Sequence, residues 1–270
     1  MLEKVEIRRN LAGRLPGLSG RTLRTGAIAL VVIAGYWLCF HFAEVDLGRL
    51  IRGLPRLLSW AARSWPPDFS EPETLFTRAA ETLAMATLGT TLGSAIAIPV
   101  CLLAAINTTP NRTVYNAARI FLNALRGIDS FVFALLFVAA VGLGPFAGVL
   151  GIGVHSAGSI AKLWSEAVEA AAAGPVEAAT LTGATKIKVF VFALLPDVMP
   201  SLVSTLLYIW EFNVRASTVL GIVGAGGIGQ ELKNNIDLLD FPRVLAIILV
   251  ILVMVTAIDR ASAWMRRRLA

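Results

Sequence analysis

Residues 177–196 read EAATLTGATKIKVFVFALLP, a polar elbow lodged between apolar runs of membrane length. Glu177, Ala178 and Ala179 open a short polar helix, and Gly183 stands where a left-handed turn residue would end one. An apolar run then begins within a few residues and carries the pair Leu195-Pro196. On these residues alone the plain reading is an alanine-rich amphipathic helix with no partner.

Working outward, 56% of the 270 residues are hydrophobic and only 16% are charged, with mean hydropathy +0.73. That balance is too apolar for a soluble domain of this size and places the chain in a bilayer. Six apolar segments recur: Ala27–Ala43, Thr82–Ile106, Ala117–Val141, Pro145–Trp164, Val189–Trp210 and Val244–Ile258. At 1.5 Å of rise per residue each covers most or all of a ~30 Å hydrocarbon layer, so an all-α polytopic membrane protein with six spans is expected. Residues 44–81 form a long connection. In it Leu47, Leu50, Ile51, Leu54, Leu57 and Leu58 fall at helical spacing opposite Arg49, Arg52 and Arg56, the pattern of a helix in the membrane interface, with Pro66 and Pro67 expected to end it. Two parts follow: residues 1–81, with the basic N-terminus, first span and interfacial connection, and a core of residues 82–265. Gly89 with Gly93, and Gly144 with Gly148, match the GxxxG spacing that lets helices approach closely in lipid.

The net charge of +6 does not indicate nucleic acid, because the basic residues flank apolar segments rather than form a stripe. Lys4, Arg8, Arg9, Arg14, Arg21 and Arg24 precede the first span, and Lys162, Lys186, Lys188 and the cluster Arg260–Arg268 fall on the same side if spans alternate. They outnumber the basic residues on the other side, which places both termini, and Glu177, in the cytoplasm.

Resident chemistry is sparse. No GxxxxGK[ST] is present, so ATP would have to be held by another subunit. His41 and His155 lie in different spans, and Cys39 and Cys101 sit inside apolar runs, so neither a metal site nor a His-based triad is expected. Ser159 and Lys162 match SxxK without its companion motifs. Gly224, Gly226 and Gly229 satisfy GxGxxG after the strand-like run STVLGIV, yet a dinucleotide site needs a parallel sheet that membrane helices cannot supply. The glycines instead suggest a break in regular backbone over Ala216–Glu231, allowed at membrane depth where it is buried or lines a cavity, hence a gate built on Gly224, Gly226, Gly227 and Gly229.

Three stretches in order, VGLGPFAGVL (141–150), the 177–196 loop, and FNVRASTVLGIVGAGGIGQEL (212–232), resemble the permeases of phosphonate ABC importers, with similarity over roughly residues 75–265. The 177–196 loop is similar to that family's EAA loop. The resemblance implies a type I importer permease in the bacterial inner membrane that catalyses no reaction itself. It also implies a homodimer with two ABC ATP-binding subunits, one under each EAA helix, and an extracytoplasmic substrate-binding protein. No cofactor would belong to this chain, ATP and Mg being held by the ATPase. Phosphonate, phosphite or phosphate would be the cargo; another small solute such as methionine, or a stand-alone secondary transporter or channel, are the alternatives. Ala193 stands where the family's pattern has isoleucine. Ile128 replaces an expected proline and Asp129 an expected glutamate, which puts in question how the third span is kinked.

The resemblance implies that Glu177, Ala178, Ala179 and Gly183 carry ATPase coupling. Arg126, Asp129, Glu211, Asn213 and Arg215 are pathway candidates, since ionisable groups in apolar runs usually face a bundle interior or an aqueous path. Arg126 and Asp129, three apart, would share a helix face and neutralise each other, and Glu211 with Arg215 would do so at spacing four. Both pairs fit an oxyanion role or a purely structural one. Backbone amides of residues 224–229 would add an anion nest.

Overall fold

The computed structural model describes residues 20–268; Lys4, Arg8, Arg9 and Arg14 lie outside the described residues. The described residues are helical throughout, without strands, and divide into a unit ending at Ser59 and a unit from Trp60 onward. In the first, α1 (Gly20–Phe42) is apolar and long enough to cross a membrane. The helix α2 (Leu47–Arg63) begins in this unit, has no buried residue, and stops before Pro66. Its leucines and arginines take opposite faces as the spacing predicts.

The second unit is a bundle of α3 (Pro72–Ala104), α4 (Arg112–Gly127), α5 (Ser130–Val141), α6 (Pro145–Glu169), α7 (Ala173–Leu181), α8 (Lys186–Val189), a π-helical turn (Phe190–Leu194), α9 (Leu195–Leu220), α10 (Gly227–Asp237) and α11 (Phe241–Arg267). The centre is α3 against α6. A Cβ on Gly93 would stand 2.8 Å from the Ser156 Cβ and 3.0 Å from the Gly153 carbonyl, and one on Gly89 would stand 2.6 Å from Ile152. Small residues here let two backbones touch, which is how packing rather than hydrophobicity joins helices in lipid. The second GxxxG does not act as one: Gly144 precedes α6 at φ 135°, and only Gly148 packs closely, against Met85 and Ala225.

The expected third span, Ala117–Val141, is two helices bent by 83° at Gly127–Asp129. Ile128 is extended, and the Asp129 carboxylate caps α5 by accepting from the Phe131 amide at 2.8 Å. Glycine followed by a strong N-cap residue breaks the helix without proline. The freed Ile128 carbonyl lies 2.9 Å from His155 Nδ1 on α6. Leu125 packs on Gly158 and Ala134 on Gly151, so the broken pair still runs the length of α6.

Helix ends alternate between two faces. At one, Ala105 after α3, Val168 of α6, Leu194 of the π-helical turn and Val198 at the start of α9 form a buried cluster, laced by Arg119 to Glu169 at 2.6 Å and the Ile106 amide to Glu169 at 2.9 Å. At the other, Arg243 of α11 meets Glu71 at 3.2 Å, and the Gly144 amide donates to the Gly224 carbonyl at 2.9 Å. Counting the broken pair as one span, the described helices supply six candidate crossings.

Candidate functional site

Three places bring the sequence-derived residues together. The first is α7. Its residues Glu177 and Ala178 are exposed, Ala179 is half-buried, and nothing in the helix is fully buried. Gly183 follows at φ 76°, in open space, as a left-handed turn requires. Leu181 just before it is 88% exposed. A helix that buries so little of itself, with a bare leucine at its tip, leaves an apolar and polar surface uncovered by the described residues.

The second is the middle of the bundle. Asn213 of α9 is fully buried, and its side-chain amide donates to Thr90 of α3 and Ser156 of α6, both at 2.8 Å. Thr90 in turn donates to the Ala86 carbonyl and Ser217 to the Asn213 carbonyl. One polar side chain therefore ties three spans at their closest approach, where an unmatched polar group would be costly. The Asn213 carbonyl oxygen, Oδ1, has no partner among the described residues. Asn213 is a joint between helices and not an open lining residue.

Two residues before Asn213, on the other side of α9, Glu211 does pair with Arg215 at 3.4 Å, but its stronger partner is Arg266, which reaches it with both terminal nitrogens at 3.1 Å. Arg215 holds Asp259 at 2.9 Å, and Arg266 also donates to the buried Ser262. The expected pair is thus part of a four-residue network that clamps α9 to α11. Sequence spacing could find only its local member; Asp259 and Arg266 are 44 and 55 residues distant from their partners, and only Arg266 entered the sequence reading, as one of the basic cluster Arg260–Arg268.

The third is the break in the broken span. The expected Arg126–Asp129 pair is absent: Asp129 is committed to its cap, the two residues lie in different helices, and no ion pair engages Arg126 among the described residues. Arg126 is exposed at mid-span, next to Leu125, which rests on Gly158. A guanidinium at that depth facing lipid would cost at least ~2.5 kcal/mol, so this surface calls for an aqueous path or a second chain.

The glycine segment departs from the expectation in two ways. Ser217–Leu220 is helical, not strand-like, and leads through a 3-10 turn (Gly221–Val223) into glycines 224, 226 and 227 at φ of 88°, 82° and 71°. The backbone donors are not a free nest either: the Gly227 amide donates to Glu81 at 3.2 Å and the Ile228 amide to Thr82 at 2.8 Å. A carboxylate and a hydroxyl from α3 satisfy the start of α10. Gly229 is helical and needs its missing Cβ, since the Thr218 carbonyl occupies that space. Glu81 and Thr82 carry no sequence signal for this role. Lys162 of the SxxK match is engaged by Glu166 at 3.2 Å, and no group of metal-ligating side chains exists among the described residues.

Comparison with known proteins agrees with this architecture. The family model for binding-protein-dependent transport system inner membrane components matches residues 97–270. HtxC of Stutzerimonas stutzeri, named for a phosphite transport system permease, is 48% identical over 246 residues, covering 91% of this chain and 86% of HtxC. HtxE of the same organism, named likewise, is 41% identical over 162 residues, covering 60% of this chain and 62% of HtxE. Among solved structures, an inward-facing form of the MetNI methionine ABC transporter matches with TM-score 0.66 and 25% identity, over 75% of this chain and 100% of that chain. Two similar permeases in one organism remove the ground for expecting two identical copies of this chain.

Proposed function

Because the chain belongs to the binding-protein-dependent transport system inner membrane components, we propose that it is the membrane-spanning permease chain of an ATP-driven importer of a phosphorus oxyanion such as phosphite. The chain is a multi-pass membrane protein, and its family works with ATP-binding subunits and a substrate-binding protein. In this proposal it catalyses no reaction of its own, ATP and Mg belong to the ATPase, and both termini face the cytoplasm. It pairs with a second, similar permease chain across the surface that carries Arg126.

The observation that carries the cargo reading is Arg126, a mid-span guanidinium with no ion pair among the described residues. Two helical halves meet beside it, and breaks in membrane helices are where transporters place anion sites. Guanidinium matches a tetrahedral oxyanion through paired N–H donors. Methionine, the cargo named for the solved neighbour, is supported only by the lower similarity, against 48% identity to a permease named for phosphite. Glu211 and Arg215 satisfy each other and their α11 partners, and in this reading they brace the path without touching the anion.

In this reading α7 is the element that docks on the ATPase, with Glu177 and Gly183 setting its surface and exit angle. Glu177→Arg and Gly183→Val are expected to leave the membrane bundle folded while reducing the ATPase recovered with it. Gly183 would be strained because a β-branched side chain is disfavoured at φ 76°. Full recovery of active ATPase with both variants, and undiminished uptake, would sink the docking role.

Orientation is tested by single cysteines in a background lacking Cys39 and Cys101. Thr180→Cys and Arg267→Cys are expected to be shielded from impermeant thiol reagents in intact cells, and Glu73→Cys to react. Labelling of position 180 from outside would reverse the topology and, with it, the placement of α7.

A further inference from the structure

The helix α7 has no cap of its own, since its N-cap residue is Ala172, which has no side-chain acceptor. Its place is taken from another span: the Asp197 carboxylate of α9 accepts the Ala172 amide at 3.0 Å. A carboxylate at a helix N-terminus satisfies an orphan donor and interacts favourably with the helix dipole. Beneath this contact Ala105, Val168, Leu194 and Val198 form a buried knuckle, with Val176 of α7 and Phe190 of the π-helical turn packed on it. The far end of α7 is built differently. There Gly183 turns in open space, with nothing within 4 Å of where its Cβ would be.

One end of α7 is therefore fastened and the other is hinged. We infer that Asp197 is the positioning residue that makes the base of α7 and the start of α9 move together, so that displacement of α7 reaches the span holding Asn213 and Glu211. The inference rests on α7 being the docking element described above. Without the Asp197 contact, α7 would still meet the start of α9 through Val176 on the buried knuckle and through Gly183 and α8, that is, by apolar packing that can slide and a turn that can rotate. Movement of α7 would then be spent in sliding and rotation, leaving α9 and the joint at Asn213 behind.

The test uses the assembled transporter in proteoliposomes, with its ATPase and binding protein and with phosphite as cargo. Asp197→Ala is expected to keep a full complement of ATPase and its basal hydrolysis. Stimulation of hydrolysis by loaded binding protein, and uptake, are expected to fall together by about tenfold, within the usual range of coupling between sites. Ala172→Pro removes the donor from the other side of the same bond; its φ of −61° already suits proline, and the same loss is expected. Asp197→Asn, which keeps an oxygen acceptor, is expected to recover most of the stimulation. Undiminished stimulation in either Asp197→Ala or Ala172→Pro overturns the inference. So does loss of the ATPase from the Asp197→Ala complex, which would make the residue a support for the docking surface and not a transmitter. Failure of the docking role would appear elsewhere, as full ATPase recovery in Glu177→Arg, so the two ideas can fail separately.

Discussion

Phosphite uptake by the reconstituted transporter is expected to fall roughly 10- to 100-fold in Arg126→Gln, because hydrogen bonds to a charged group contribute about 1.5–3 kcal/mol and each 1.4 kcal/mol is about a factor of ten. The fold should survive the change. Arg126 is exposed and holds no partner among the described residues, so glutamine removes no internal contact of the chain. Arg126→Lys keeps the charge but loses the planar pair of donors, and should fall between the two. Uptake by Arg126→Gln at the level of the unaltered protein would remove the arginine from the path. Loss of the second permease chain from the complex would show that Arg126 holds that chain in place and does not act on the anion.

The second large effect is on stability. Glu211 is only 14% exposed at its side chain and accepts from both Arg266 and Arg215. Glu211→Leu would leave Arg266, whose side chain is 30% exposed, with only Ser262 and solvent as partners. Because the arginines are partly exposed, the loss is that of charge-assisted hydrogen bonds, about 1.5–3 kcal/mol, which lowers the apparent Tm of a domain this large by about 3–12 °C. Glu211→Gln should cost less, since an acceptor remains. Pairing Glu211→Leu with Arg266→Leu should return part of the loss, because no charge is then stranded. Thermal unfolding of the purified protein in detergent reads all three. An unchanged Tm together with abolished uptake would make Glu211 a pathway residue and contradict the bracing role.

How much of this was legible beforehand depended on the range of the interaction. The elbow at 177–183 was readable because a glycine at a helix end and an exposed polar helix are local properties, and the structure has Gly183 at φ 76° after α7. The amphipathic face of α2 and the Gly89–Gly93 contact followed from spacing alone. Spacing misled where a helix did not continue. Arg126 and Asp129 are three apart, yet a carboxylate that can cap its own chain two residues on competes with helix continuation, and the bend of 83° separates them.

The sequence by itself therefore determined that this chain is a set of apolar helices with a polar elbow, because burial of apolar surface and backbone hydrogen bonding are settled within each segment. Only the tertiary structure decided what the polar residues do. Asn213 became a joint because Gly93 lets α6 come within reach of α3. The glycine amides ceased to be an anion nest because Glu81 and Thr82, 146 residues earlier, fill them. Arg126 has no ion pair among the described residues because Asp129 had a nearer donor. Each outcome turned on which partner lay within hydrogen-bonding distance, and distance across a bundle is fixed by helix packing, which no local pattern encodes.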